Sequence, residues 1–129
     1  MRARPLRFLV IDDEPRAAIT GEMLRDLGHA VVIESRGATG LARAHELRPD
    51  VVLLEIPLPD ISGFELARRL REAYGGSVVL IATTAWAVRG DRERAREAGF
   101  DFYVAKPTSP HRLQMLVDEA GSSASALPN

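Results

Sequence analysis

Five short, nearly continuous apolar runs, separated by helical patterns, limit what this chain can fold into more than any other feature. They are Arg7 to Ile11, Ala30 to Ile33, Val51 to Leu54, Val78 to Ala82 and Phe102 to Ala105. An apolar run without polar alternation reads as a strand buried on both faces, the state of strands in a parallel sheet. Parallel strands need long crossovers, and those crossovers cover the sheet. The intervening stretches supply them. Ile19, Met23 and Leu27 recur every four residues before Gly28, and Leu113, Leu116, Val117 and Ala120 follow the i, i+3, i+4, i+7 pattern before Gly121. Pro15 and Pro110 read as first-turn prolines, and Ser62 with Glu65 as a capping box. The expectation is an α/β fold, a doubly wound five-stranded parallel sheet, over residues 1–120. Gly121 to Asn129 are mostly small and polar without periodicity, and read as a flexible C-terminal tail or linker stub.

A chain of 129 residues suits one domain. It has no cysteine, which excludes a disulfide framework and thiolate metal sites and leaves the cytoplasm as the expected compartment. The basic start Met1-Arg2-Ala3-Arg4 is followed by only a short apolar run ending in Asp12-Asp13-Glu14, neither a signal peptide nor a membrane span. A net charge of −1 gives no reason to expect a nucleic acid or membrane surface as partner. Sixteen of the seventeen basic side chains are Arg, so the single lysine, Lys106, stands out as a compact point charge.

In doubly wound sheets the ligand site lies beyond the carboxyl ends of the strands. Asp12 and Asp13, Glu34 and Ser35, Glu55, Thr83 and Thr84, and Lys106 follow the five runs. Asp12, Asp13 and Glu55 supply the hard oxygen ligands that magnesium prefers, and Lys106 with the Thr84 hydroxyl suits a phosphoryl-like anion. Blander readings exist for each. Asp12-Asp13-Glu14 taken alone is an acidic helix start, Glu55 with Lys106 a structural ion pair, and Thr84 a strand-end cap whose neighbour Thr83 allows a one-residue slip. Tyr103 reads equally as core, and Trp86 as a partly exposed aromatic or a partner contact. Arg89 to Glu97 mixes signs as a solvated helix face does, and His29, His45 and His111 have no ligand spacing and read as surface residues.

From about residue 7 to 120 the chain resembles a response-regulator receiver domain of the CheY-like kind. The likeness rests on Val10-Ile11-Asp12-Asp13-Glu14-Pro15, on Pro49 through Glu55 to Gly63, on Thr84-Ala85 and on Tyr103-Val104-Ala105-Lys106-Pro107. It implies the flavodoxin-like strand order 2-1-3-4-5 and a two-component signalling role rather than an enzymatic one. Asp12, Asp13, Glu55 and the Pro57 backbone carbonyl would bind Mg2+. Thr84 would be the switch hydroxyl, Tyr103 the switch aromatic and Lys106 the phosphate-contacting lysine, with a cis peptide to Pro107. The implied partners are a histidine kinase, a phosphotransfer protein or an output domain, contacted near the fourth helix, fifth strand and fifth helix, with a homodimer as a further option.

Glu55 departs from this pattern, standing where the family places its phosphorylated aspartate. One added methylene moves the carboxylate outward, and a misplacement of about 1 Å costs on the order of 100-fold in rate, so little phosphorylation is expected. The same displacement suits a mimic of the phosphorylated state that reaches Thr84 or Lys106. It is a partial mimic, with one charge against roughly −1.5 to −2. One charge-assisted contact is worth about 1.5–3 kcal/mol, whereas a full switch takes about 5.5 kcal/mol. Three competing functions are a magnesium-dependent phosphatase or hydrolase, which lacks its aspartate; a nucleotide or flavin binder, which lacks a glycine-rich phosphate loop; and a receiver-fold dimerisation scaffold.

Overall fold

The computed structural model describes residues 5–85, 90–106 and 109–126, with backbone only at 110 and 120–126. Trp86, Pro107 with its peptide bond, and Leu127 to Asn129 lie outside the described residues. Five strands form one parallel sheet: β1 (Arg7–Ile11), β2 (Ala30–Glu34), β3 (Val51–Glu55), β4 (Val79–Thr84) and β5 (Phe102–Ala105), in the order β2-β1-β3-β4-β5. The helices α1 (Ala17–Asp26), α2 (Gly37–Leu47), α3 (Gly63–Tyr74), α4 (Asp91–Ala98) and α5 (Pro110–Ala126) alternate with them. Among the described residues no helix is long and apolar enough to cross a membrane.

The unbroken apolar runs serve two cores. Leu9, Ile11, Val52, Leu54, Leu80 and Ala82 face the side of the sheet where α3 brings Leu66 and Leu70. Phe8, Val10, Val51, Leu53 and Ile81 face the other, where α1 brings Leu24 and α5 brings Leu113 and Val117. Strand alternation sends successive side chains to opposite faces, so only a run apolar throughout fills both. Burying one such leucine is worth about 1.5–3 kcal/mol.

Several local expectations shift. Glu55 closes β3 and Thr83 and Thr84 belong to β4, so these three are strand residues, whereas Asp12 and Lys106 follow their strands. Pro15 sits in the turn ahead of α1, whose first residue is Ala17, and α5 continues past Gly121 to Ala126. Ser62 caps α3 by accepting from the Phe64 N–H at 3.2 Å, while Glu65 pairs with Arg68 and Arg69, so half of the capping box forms.

On α1 the Ile19, Met23, Leu27 stripe is not the packed face: Ile19 is 52% and Leu27 44% exposed, and Ala17, Gly21 and Leu24 are buried instead. The helix approaches β2 closely enough that a Cβ on Gly21 would lie 2.7 Å from Ile33 Cδ1. His29, read as a surface residue, is buried. Its Nδ1 accepts from the Leu6 N–H at 3.0 Å and its Nε2 meets Gln114 Oε1 at 3.1 Å, tying β1 and α5 together through the turn before β2. That arrangement requires the proton on Nε2.

Two further side chains fix the loops. Arg71 on α3 donates to the carbonyls of Gly75, Val78 and Gly99 and to Asp101, whose Oδ2 also accepts from the Leu80 N–H at 2.8 Å. Asp60, in the loop after β3, accepts from the N–H groups of Gly37 and Ala38 at 2.8 and 2.9 Å and so caps α2 from another element. The same two backbone donors hold its carboxyl below the usual carboxylate range.

Candidate functional site

The sheet order reverses between β1 and β3, and the carboxyl ends of these strands deliver Asp12 and Glu55 to one place. β5 ends beside β4, with the Lys106 N–H bonded to the Thr84 carbonyl at 2.8 Å, and its lysine reaches back across the sheet edge. Lys106 Nζ lies 2.5 Å from Asp12 Oδ2, 2.5 Å from Glu14 Oε1 and 2.5 Å from Glu55 Oε1. An ammonium has three donors, and all three are used. The fourth member, Glu14, was not singled out in the sequence. Asp12 Oδ1 accepts from its N–H at 2.9 Å, and that turn carries its side chain to Lys106.

Burial differs sharply across the group. The side chains of Glu55 and Asp12 are 3% and 8% exposed, Lys106 20% and Glu14 41%. Burial pushes the Glu55 carboxyl above its ordinary range; Lys106 pulls it back and the Asp12 charge adds to the rise. Lys106 itself is opposed by burial, but the hydrogen bonds to Asp12, Glu14 and Glu55 outweigh that and raise its pKa. Glu14, half-buried, is held low by its hydrogen bond to Lys106. Glu55 Oε2 accepts from the Ile56 N–H at 2.9 Å, so both carboxylate oxygens of Glu55 are engaged.

The oxygens of Asp12, Glu14 and Glu55 lie within 4.8 Å of one another. Three carboxylates around one ammonium leave two negative charges in excess, and a cavity of about 210 Å³ opens beside Asp12, Glu14 and Lys106. Hard oxygen donors and excess negative charge fit a magnesium-like cation. Asp13 is exposed and stands outside this group, and Pro57 is exposed and bridged to Ser62. Thr84 is buried at the end of β4. Tyr103 is half-buried on β5, and its hydroxyl has no hydrogen-bond partner among the described residues. Burial, then the Asp91 charge, holds that phenol above its usual range, and the Arg92 guanidinium lies 5.1 Å over its ring.

Comparison with known proteins bears on the same span. Residues 8–118 match the family model described as "Response regulator receiver domain". The virulence sensor protein BvgS of Bordetella bronchiseptica is 38% identical over 95% of this chain, but the chain spans only 10% of that protein's length. The polar-differentiation response regulator DivK of Brucella anthropi is 33% identical, covering 82% of this chain and 87% of its own. Among solved structures, the receiver domain of the sensor histidine kinase PA1611 from Pseudomonas aeruginosa, with a magnesium ion coordinated in its active-site cleft, is 32% identical. It superposes with a TM-score of 0.80 over 92% of this chain and 99% of that one.

Proposed function

Since this chain belongs to the response-regulator receiver family, the signal-receiving modules of two-component systems, we propose that Glu55 biases its switch permanently, without a phosphoryl donor. The observation that carries this reading is the contact between Glu55 Oε1 and Lys106 Nζ at 2.5 Å. Lys106 is the side chain that the family likeness assigns to the phosphoryl group, and here a carboxylate already holds it. The buried, doubly bonded Glu55 is also a poor nucleophile, since Lys106 and the Ile56 N–H bind the oxygens an attack would use. In this reading the chain is a non-enzymatic module. It passes its state to a histidine kinase, a phosphotransfer protein or an output domain through the surface near α4, β5 and α5.

Magnesium, when bound, supplies positive charge that offsets the carboxylates. Asp12, Glu14 and Glu55 are the side chains that would hold it, with Asp13 and the Pro57 carbonyl as the donors implied by the family pattern. Thr84 and Tyr103 are the proposed switch pair, one buried at the end of β4 and the other on the neighbouring strand.

The test is the intact mass of the protein and of Glu55→Asp after incubation with acetyl phosphate and magnesium. We expect the variant to gain a phosphoryl group and the unaltered chain to gain none. Phosphorylation of the unaltered chain overturns the reading. Phosphorylation of neither moves the dimerisation-scaffold reading to first place.

A further inference from the structure

Six of the described arginines, Arg7, Arg43, Arg68, Arg69, Arg71 and Arg94, each meet a carboxylate inside the molecule. Arg92, Arg96 and Arg112 are exposed, and none has an ion-pair partner among the described residues. These three line a single groove of about 240 Å³ between α4 and the β5–α5 edge, over Phe102 and Leu116. Arg92 and Arg96 stand one turn apart on the same face of α4, which places Glu93 and Glu97 on the next stripe round, outside the groove lining. Asp101 also borders the groove, but Arg71 and the Leu80 N–H bind its carboxylate.

We propose that this groove docks an acidic segment of a partner protein, its carboxylates against the three guanidinium groups and its aliphatic stems on Phe102 and Leu116. The inference rests on the signalling reading above and adds the chemistry of the partner. Guanidinium forks match carboxylates in paired hydrogen bonds, and a surface that leaves three such forks unpaired around one concavity is complementary to clustered negative charge. A nucleic acid fits less well, because its phosphate backbone brings no aliphatic stem to the apolar floor of Phe102 and Leu116. The groove also touches the switch. An occupant that draws on Arg92 acts on the guanidinium stacked 5.1 Å over Tyr103, on the strand that ends at Lys106.

The experiment measures binding of fluorescein-labelled hexaglutamate by anisotropy at low salt, with oligodeoxythymidylate as a second probe. The proteins are the unaltered chain, the double variant Arg92→Gln/Arg96→Gln, and Arg94→Gln. Arg94 is the control on α4, since its guanidinium lies 4.4 Å over Phe64 and outside the groove. Circular dichroism checks that each folds. Hexaglutamate should bind the unaltered chain and Arg94→Gln alike, weaken about tenfold or more in the double variant, and weaken with added salt. Absent binding, equal binding to all three proteins, tighter groove-dependent binding of the oligonucleotide, or self-association lost in the double variant each overturns the proposal. None of these outcomes bears on the Glu55 reading, which is tested by mass at residue 55.

Discussion

Arg71 and Lys106 sit at opposite ends of the same part of the sheet, and they accommodate a partly buried cation in opposite ways. Arg71 is 25% exposed, close to the 20% of Lys106, yet its acceptors are mostly neutral carbonyls from the turns before β4 and β5, with Asp101 as its single charged partner. Its charge is balanced once, and its remaining donors close backbone groups that would otherwise lack partners. Lys106 meets three carboxylates and leaves two negative charges in excess, two of those carboxylates almost fully buried. A pair that closes on itself serves the fold. A cluster that keeps an unbalanced charge at a strand end holds free energy that another cation, or a change of state, can release.

Three substitutions sharpen or break that contrast. Arg71→Ala should have the largest effect, a loss of about 3 kcal/mol in urea unfolding, because it strands Asp101 and several carbonyls together. A loss under about 1 kcal/mol would mean that those turns stand without their cation. Lys106→Met should cost about 2 kcal/mol at neutral pH, since three carboxylates then face one another, and millimolar magnesium should recover much of it. The Arg71→Ala loss should not respond to magnesium, and an equal response at both ends would break the contrast. Glu14→Gln should cost less than about 1 kcal/mol, because Glu14 is only half-buried and its charge is screened. Its sign follows from the lowered pKa: the contribution is full above the unfolded value of about 4.3 and disappears as pH falls through the lower folded value. Unfolding curves for the variant and the unaltered chain should therefore differ at pH 7 and draw together as the pH is lowered.

The sheet was legible because its requirement is coarse. A strand covered on both faces must be apolar throughout, and all five runs became strands, the first and last with the ends expected and the other three with ends one or two residues away. The face of α1 was not legible. The contact with β2 is made by Ala17, Gly21 and Leu24, and close approach demands small side chains that carry little hydropathy signal, whereas the larger Ile19 and Leu27 point outward. His29 was misread for a related reason. Its burial depends on Leu6 and on Gln114, 85 residues away, and no local spacing records either partner.

At the candidate site, Asp12, Glu55 and Lys106 come together as their strand-end positions implied. Glu14 was written in the same acidic triplet, but which of Asp13 and Glu14 turns toward Lys106 depends on the turn that Asp12 closes by accepting from the Glu14 N–H. Arg71 gave no signal at all, as one of sixteen arginines on a helix rich in charge.

The Asp60 cap has a consequence for how this chain tolerates changes in length. Its carboxylate must arrive at the start of α2 in register with Ile61, whose Cγ2 would lie 2.0 Å from a Cβ at Gly37. Five residues after Glu55, the loop is thus measured against a neighbouring helix. Adding or removing one residue there misaligns both ends together.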